Sequence, residues 1–187
     1  MVVARYYPKR RKAEHLSDKF SQEILRLKHF REPATIKRLA HRLSYTAKEW
    51  LSSKIDQITL LTYPPSSRKK RYYFVRELAQ NVSAELDIEP VELLFWKEKV
   101  SSKGNRVLSL KERLGKKIGV KPQFEKVVEG KSILLIDDIL TTGLTALAAV
   151  KALREDKAAE VYVACLGWTM DTDNYSQKTT LLNPLGR

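Results

Sequence analysis

The chain has 187 residues, 43% of them apolar, with 7 glycines and 7 prolines, enough for one core and too few for a low-complexity or disordered protein. One cysteine, Cys165, excludes an internal disulfide and a CxxC zinc site, and His15, His29 and His41 lack metal-cage partners. The net charge of +13 is concentrated at the front, where residues 1–54 carry 14 Lys and Arg against 5 Asp and Glu.

That excess suits an anionic partner such as nucleic acid, or equally a solvated basic face. MVVARYYPKRRK has no long apolar run after its charges, so no secretory leader is expected. No run approaches the roughly 18 apolar residues of a membrane span. A cytoplasmic protein with no membrane partner is the expectation. Residues 1–15 read as a basic, unpatterned arm that orders only against something else.

Residues 16–54 read as a helical segment. Phe20, Ile24, Leu27 and Phe30 recur at threes and fours, Pro33 breaks the run, and Ile36, Leu39, Ala40, Leu43, Ala47, Trp50 and Leu51 resume it. After Asp56 the texture changes. A strand is predicted over residues 58–63, ended by Pro64-Pro65-Ser66-Ser67, then a helix over 73–86 and a strand over 91–96. Residues 97–108 are charged and small and read as a mobile loop, followed by a short helix over 111–117. A third strand over 132–136, a helix over 145–154 and a fourth strand over 161–166 complete the pattern. Residues 55–170 thus read as an α/β core and 171–187 as a tail, effectively one domain. Strands alternating with helices argue for a parallel sheet covered on both faces.

Residues 132–147, SILLIDDILTTGLTAL, carry the chemistry. An apolar strand runs into Asp137 and Asp138, like charges that repel and are costly to desolvate. A ligand that uses both would explain them. In a parallel sheet, ligands sit at the carboxyl ends of strands. Thr141, Thr142, Gly143, Leu144 and Thr145 then turn into a helix, offering N–H groups, hydroxyls and the positive end of a dipole to a phosphate. Acceptors for hydroxyls beside donors for a phosphate match a ribose 5-phosphate.

The run I-L-L-I-D-D-I-L-T-T-G-L-T resembles the 5-phosphoribosyl-1-pyrophosphate (PRPP) signature of type I phosphoribosyltransferases, with Leu144 where a small residue is usual. Ile24-Leu25-Arg26-Leu27-Lys28, then Leu60-Leu61-Thr62-Tyr63-Pro64-Pro65 and the helix from Arg71 to Ala79, resemble the ComF-like, competence-associated branch. The resemblance spans roughly residues 20–168. It implies an α/β fold, a type I phosphoribosyltransferase-like parallel sheet flanked by helices, with an N-terminal helical extension.

The resemblance also implies roles. Asp137 and Asp138 would be the catalytic pair on the ribose hydroxyls, and Thr141, Thr142, Gly143, Leu144 and Thr145 would hold the 5′-phosphate. Pro65, Ser66, Ser67 and Arg68, helped by Lys69 or Lys70, would cradle pyrophosphate, although the same basic loop also reads as a solvated turn. The loop over 97–108 would close on the site with Lys97, Lys99 and Lys103. Mg²⁺ is the implied cofactor, held through substrate and by Asp137 or Asp138 rather than by a protein cage. The implied activity is phosphoribosyl transfer from PRPP to an unidentified nitrogenous acceptor. Relatives acting on 6-oxopurines carry an aspartate where Thr141 stands, which disfavours hypoxanthine and guanine. The alternative is a non-catalytic PRPP or nucleotide sensor, or a nucleic-acid-associated protein of the DNA-uptake type. A homodimer is compatible with either.

Overall fold

Segments of period 2 and period 3.6 alternate along the chain, and each buries its apolar side against the others. The computed structural model describes residues 1–9, 11–66, 72–97 and 118–169. In chain order the elements are β1 (Val2–Tyr6), α1 (Lys12–Ser17), α2 (Lys19–Leu27), α3 (Pro33–Leu51), β2 (Ile58–Thr62), α4 (Phe74–Leu86), β3 (Glu89–Pro90), β4 (Leu94–Trp96), β5 (Ile118–Val120), α5 (Glu125–Val128), β6 (Ser132–Leu140), α6 (Leu144–Glu155) and β7 (Glu160–Thr169). Strands β1, β7, β6, β2 and β3, in that spatial order, form one sheet in which every neighbouring pair is parallel.

β6 is central because Ile133, Leu134, Leu135 and Ile136 are all fully buried, apolar on both faces. Alternation sends Leu134 and Ile136 into a core layer shared with α2, α3 and α4. It sends Ile133 and Leu135 into the opposite layer, with α6 and the β4–β5 hairpin. The chain from β2 crosses through α4 to β3, and the chain from β6 crosses through α6 to β7, away from β2. Their helices cover opposite faces. The crossovers therefore diverge between β2 and β6, a switch point of the kind at which open α/β sheets form a ligand crevice at the strands' carboxyl ends.

Several expectations change. Within the arm over residues 1–15, Val2–Tyr6 orders against this chain itself: β1 adds to β7, with Val2 opposite Cys165 and Tyr6 opposite Thr169. The basic residues around it hid a short VVARY strand whose partner lies some 160 residues away in sequence. The helical segment begins earlier, at Lys12, and divides at Asp18, whose carboxylate accepts from the Ser21 N–H at 2.9 Å and caps α2. Pro33 opens α3, where its missing N–H costs nothing. The predicted stripe Ile36, Leu39, Ala40, Leu43, Ala47 and Leu51 is buried, but Phe30 and Trp50 are 65% and 62% exposed. Phe30 lies beyond the end of α2, and Trp50 lies one residue before the end of α3.

Of the strand predicted over 91–96, only Leu94–Trp96 forms one. The Val91 N–H donates to Leu61 O and the Leu93 N–H to Val91 O, so the chain turns sharply after β3 and leaves the main sheet as β4. The helix predicted over 111–117, most of the loop over 97–108 and the tail over 171–187 lie outside the described residues. Among the described residues no helix is long and apolar enough to cross a membrane.

Gly167 sits on β7 between β1 and β6, opposite Ala4 and Ile139. A Cβ there would lie 2.7 Å from Ile139 Cδ1, 3.1 Å from Tyr6 Cβ and 3.3 Å from Phe20 Cε1. Tyr6 Cβ is fixed to the backbone of β1 and cannot swing aside. Gly167→Ala is expected to cost about 1–3 kcal/mol, read as a lower urea midpoint at unchanged slope.

Candidate active site

β6 runs further than its apolar core. It continues through Asp137 and Asp138 to Leu140, so the expected strand end at Ile136 is four residues short. The two sides of β6 differ. The β7 ladder persists to Leu140 opposite Trp168, whereas the β2 ladder ends at Leu135 opposite Thr62. The aspartates thus lie within the strand toward β7 and past the end of the ladder toward β2. There β2 gives way to Tyr63-Pro64-Pro65, and Pro64 and Pro65 have no N–H to extend pairing.

Asp137 is 9% exposed, and its carboxylate accepts from the Asp138 N–H at 2.9 Å. Burial first, and the neighbouring Asp138 charge second, push its pKa up to about 8. Asp138 is less enclosed. One of its oxygens accepts from the Ile139 N–H at 2.7 Å, and the other is 2.6 Å from the Lys28 ammonium, at the end of α2. Sequence reasoning placed Lys28 in a family-like element but missed its reach to the acid pair. No local pattern reports a contact spanning 110 positions.

The turn after β6 forms as expected. Gly143 has φ +74°, a left-handed conformation that penalises any side chain, and it starts α6. The Leu147 N–H reaches back to Gly143 O at 2.9 Å, and the Leu144 N–H approaches Thr142 Oγ1 at 3.4 Å. Thr141, Thr142 and Thr145 are exposed, while Gly143 and Leu144 are half-buried. First-turn N–H groups of a helix have no acceptor within its own ladder and are suited to an anion.

The far wall comes from the segment after β2 and from the hairpin. The indole N–H of Trp96 is 3.0 Å from both Pro65 O and Ser66 O, holding those carbonyls against the end of β4. The Tyr73 hydroxyl donates to Pro64 O at 2.9 Å, and its ring meets Tyr63 edge-on at 6.2 Å. Burial, then Asp137 and Asp138, push the Tyr73 phenol well above its ordinary range, so it serves as a neutral donor. Lys97 follows β4 and is exposed, with its stem laid over Gly119. Strand pairing and chain order put Pro65 and Ser66, after β2, and Asp137, Asp138 and the 141–145 turn, at the end of neighbouring β6, on the carboxyl-end side of the sheet. Ser67, Arg68, Lys69, Lys70, Lys99 and Lys103 lie outside the described residues.

The phosphoribosyl transferase domain model matches residues 69–177, more than half of the chain, and the chain belongs to that family. Its curated relatives include a ribose-phosphate pyrophosphokinase from Methanobrevibacter smithii, 31% identical over 119 residues, which are 63% of this chain and 36% of that protein. Another, from Methanopyrus kandleri, is 41% identical over 56 residues, 29% of this chain and 19% of its own. The chain thus spans little more than a third of the relatives' length at most. A Neisseria gonorrhoeae protein crystallised with bound ppGpp shares the fold at TM-score 0.50 and 14% identity, over 74% of this chain and 69% of that one. An allosteric regulatory enzyme of purine biosynthesis aligns at TM-score 0.47 and 22% identity, over 70% and 25%. The fold is the α/β, mostly parallel sheet expected from the sequence.

Proposed function

We propose that the crevice binds PRPP with Mg²⁺ and transfers its phosphoribosyl group to a nitrogenous acceptor. The observation that carries this reading is the junction of Asp137 and Asp138 with the Gly143 turn, at the point where the crossovers diverge. Carboxylates accept from the ribose hydroxyls, and the N–H groups and hydroxyls of residues 141–145 donate to the 5′-phosphate. The strand-to-helix geometry sets these two groups at opposite ends of one short segment, as a phosphorylated sugar requires.

Two adjacent carboxylates at a crevice rim are hard oxygen donors of the kind Mg²⁺ takes, and among the described residues no cluster of three or more acidic, His or Cys side chains forms a separate cage. Asp137 or Asp138 would hold the ion together with substrate oxygens, and it would neutralise charge on the leaving pyrophosphate. Pro65 and Ser66 line the pyrophosphate side, with Ser67 and Arg68 next in sequence. In the reaction the C1–O bond to pyrophosphate breaks with its electron pair, and a C1–N bond forms. The acceptor's proton passes to solvent. The reading places the chain in the ComF-like branch on the Ile24–Lys28 element, whose last residue pairs with Asp138.

Calorimetric titration of the full chain with Mg²⁺ and PRPP is expected to give saturable binding, micromolar or tighter, that disappears when Mg²⁺ is chelated. A screen of nucleobases, ammonia and small amines for pyrophosphate release then identifies the acceptor. Absence of heat with PRPP and Mg²⁺ sinks the proposal. Binding without release in any mixture favours the sensing alternative.

A further inference from the structure

The N-terminal helical extension does more than cover the sheet. Lys28 is the residue following α2, where the backbone is tied down on two sides. Its own N–H reaches Ile24 O, and the carbonyl of the preceding residue, Leu27, accepts from the Tyr72 hydroxyl at 2.8 Å. Leu27 itself is fully buried in the layer under β6. The lysine stem therefore leaves a fixed point. Its ammonium lies 2.6 Å from Asp138 Oδ2, with 35% of the Lys28 side chain and 16% of that of Asp138 exposed. Among the described residues Asp138 is the one acceptor the ammonium has, while an ammonium carries three donors.

A sugar hydroxyl is at once donor and acceptor. A carboxylate alone serves only half of it. A carboxylate with an ammonium in contact serves both halves: the hydroxyl donates to Asp138, and its oxygen accepts from Lys28. Any hydroxyl oxygen within hydrogen-bond distance of Asp138 Oδ2 is also within a few ångströms of Lys28 Nζ. We propose that Lys28, delivered from the N-terminal extension, is a sugar-binding residue that with Asp138 clasps one ribose hydroxyl. The inference rests on the PRPP reading above and adds a residue to it that lies outside the signature. It also gives the extension a role in the site, through the residue that follows α2. Lys28 and Asp138 are already paired with each other, so the clasp is preorganised and little ordering is needed on binding.

The test is calorimetry on wild type, Lys28→Met and Lys28→Arg, each with Mg²⁺ and either PRPP or inorganic pyrophosphate. Methionine keeps the stem and its packing, and a melting curve confirms folding. The expected result is PRPP affinity reduced about tenfold or more in Lys28→Met, as for loss of one charge-assisted bond. Pyrophosphate, which has no sugar, should bind within twofold of wild type, and Lys28→Arg should recover part of the PRPP loss. Unchanged PRPP affinity in Lys28→Met overturns the proposal. So does an equal loss for PRPP and pyrophosphate, which would put Lys28 on the leaving group. If wild type binds no PRPP, the phosphoribosyl reading fails first and this inference falls with it; if wild type binds and only the Lys28 pattern is absent, the reading stands without the clasp.

Discussion

Asp137→Asn combined with Asp138→Asn is expected to abolish measurable Mg²⁺-dependent PRPP binding while raising the melting temperature at neutral pH. Each carboxylate–hydroxyl bond in a desolvated crevice is worth about 1.5–3 kcal/mol, so losing both weakens binding by about 10²–10⁴-fold. An amide can still accept through its oxygen, but it brings no charge to the bond and none to a bound cation. Stability behaves oppositely because the pair is a burden on the fold. Burial and the neighbouring Asp138 charge disfavour the ionised form of Asp137 in the fold, so a neutral amide at that position removes that cost. Lys28 loses its partner but is exposed enough to stay hydrated. Calorimetry and a melting curve on one preparation check both halves. A double variant that binds PRPP like wild type removes Asp137 and Asp138 from the sugar site.

The difference in unfolding free energy between wild type and Asp137→Asn is expected to change with pH by the order of a few kcal/mol. The carboxyl of Asp137 titrates near 3.8 in the unfolded chain and is raised to about 8 in the fold. Between those values the folded state holds a proton that the unfolded state has released, so stability falls as pH rises across that window. Below about pH 4 both states are protonated, and the contribution is fully present. Above about pH 8 it is lost, and the buried carboxylate must be ionised against Asp138. The asparagine variant lacks this dependence. Wild type should therefore match it near pH 4 and become progressively less stable than it up to about pH 8. Urea unfolding of the pair at several pH values measures this. A constant difference across the range overturns the buried, raised Asp137, and a difference of opposite slope would mean that the carboxylate is stabilised in the fold.

The site's chemistry was legible in residues 132–147 because it is local. An apolar run, two acids and a glycine that can take φ +74° before a helix are neighbours in sequence, and the backbone carries them into the crevice together. The α3 stripe and the α4 helix were legible for the same reason, since a helix advertises its buried face every three or four positions. Pro64 and Pro65 likewise marked where β2 stops pairing.

What depended on distant partners was not. β1 exists because β7 offers it an edge, and VVARY alone is too short and too mixed to announce a strand. The run over 91–96 has strand composition throughout, yet hydrogen bonds at Val91 and Leu93 send half of it to another sheet. Trp96 on the carbonyls of Pro65 and Ser66, and Lys28 on Asp138, join residues about 30 and 110 positions apart. The sequence by itself determined which backbone conformations and side-chain chemistries were available at the acid pair and the phosphate turn, because local sterics and periodicity act over a few residues. Only the tertiary structure decided which face of the crevice receives a lysine, where the sheet ends and how deeply each acid is buried, because these follow from long-range packing that no short window contains.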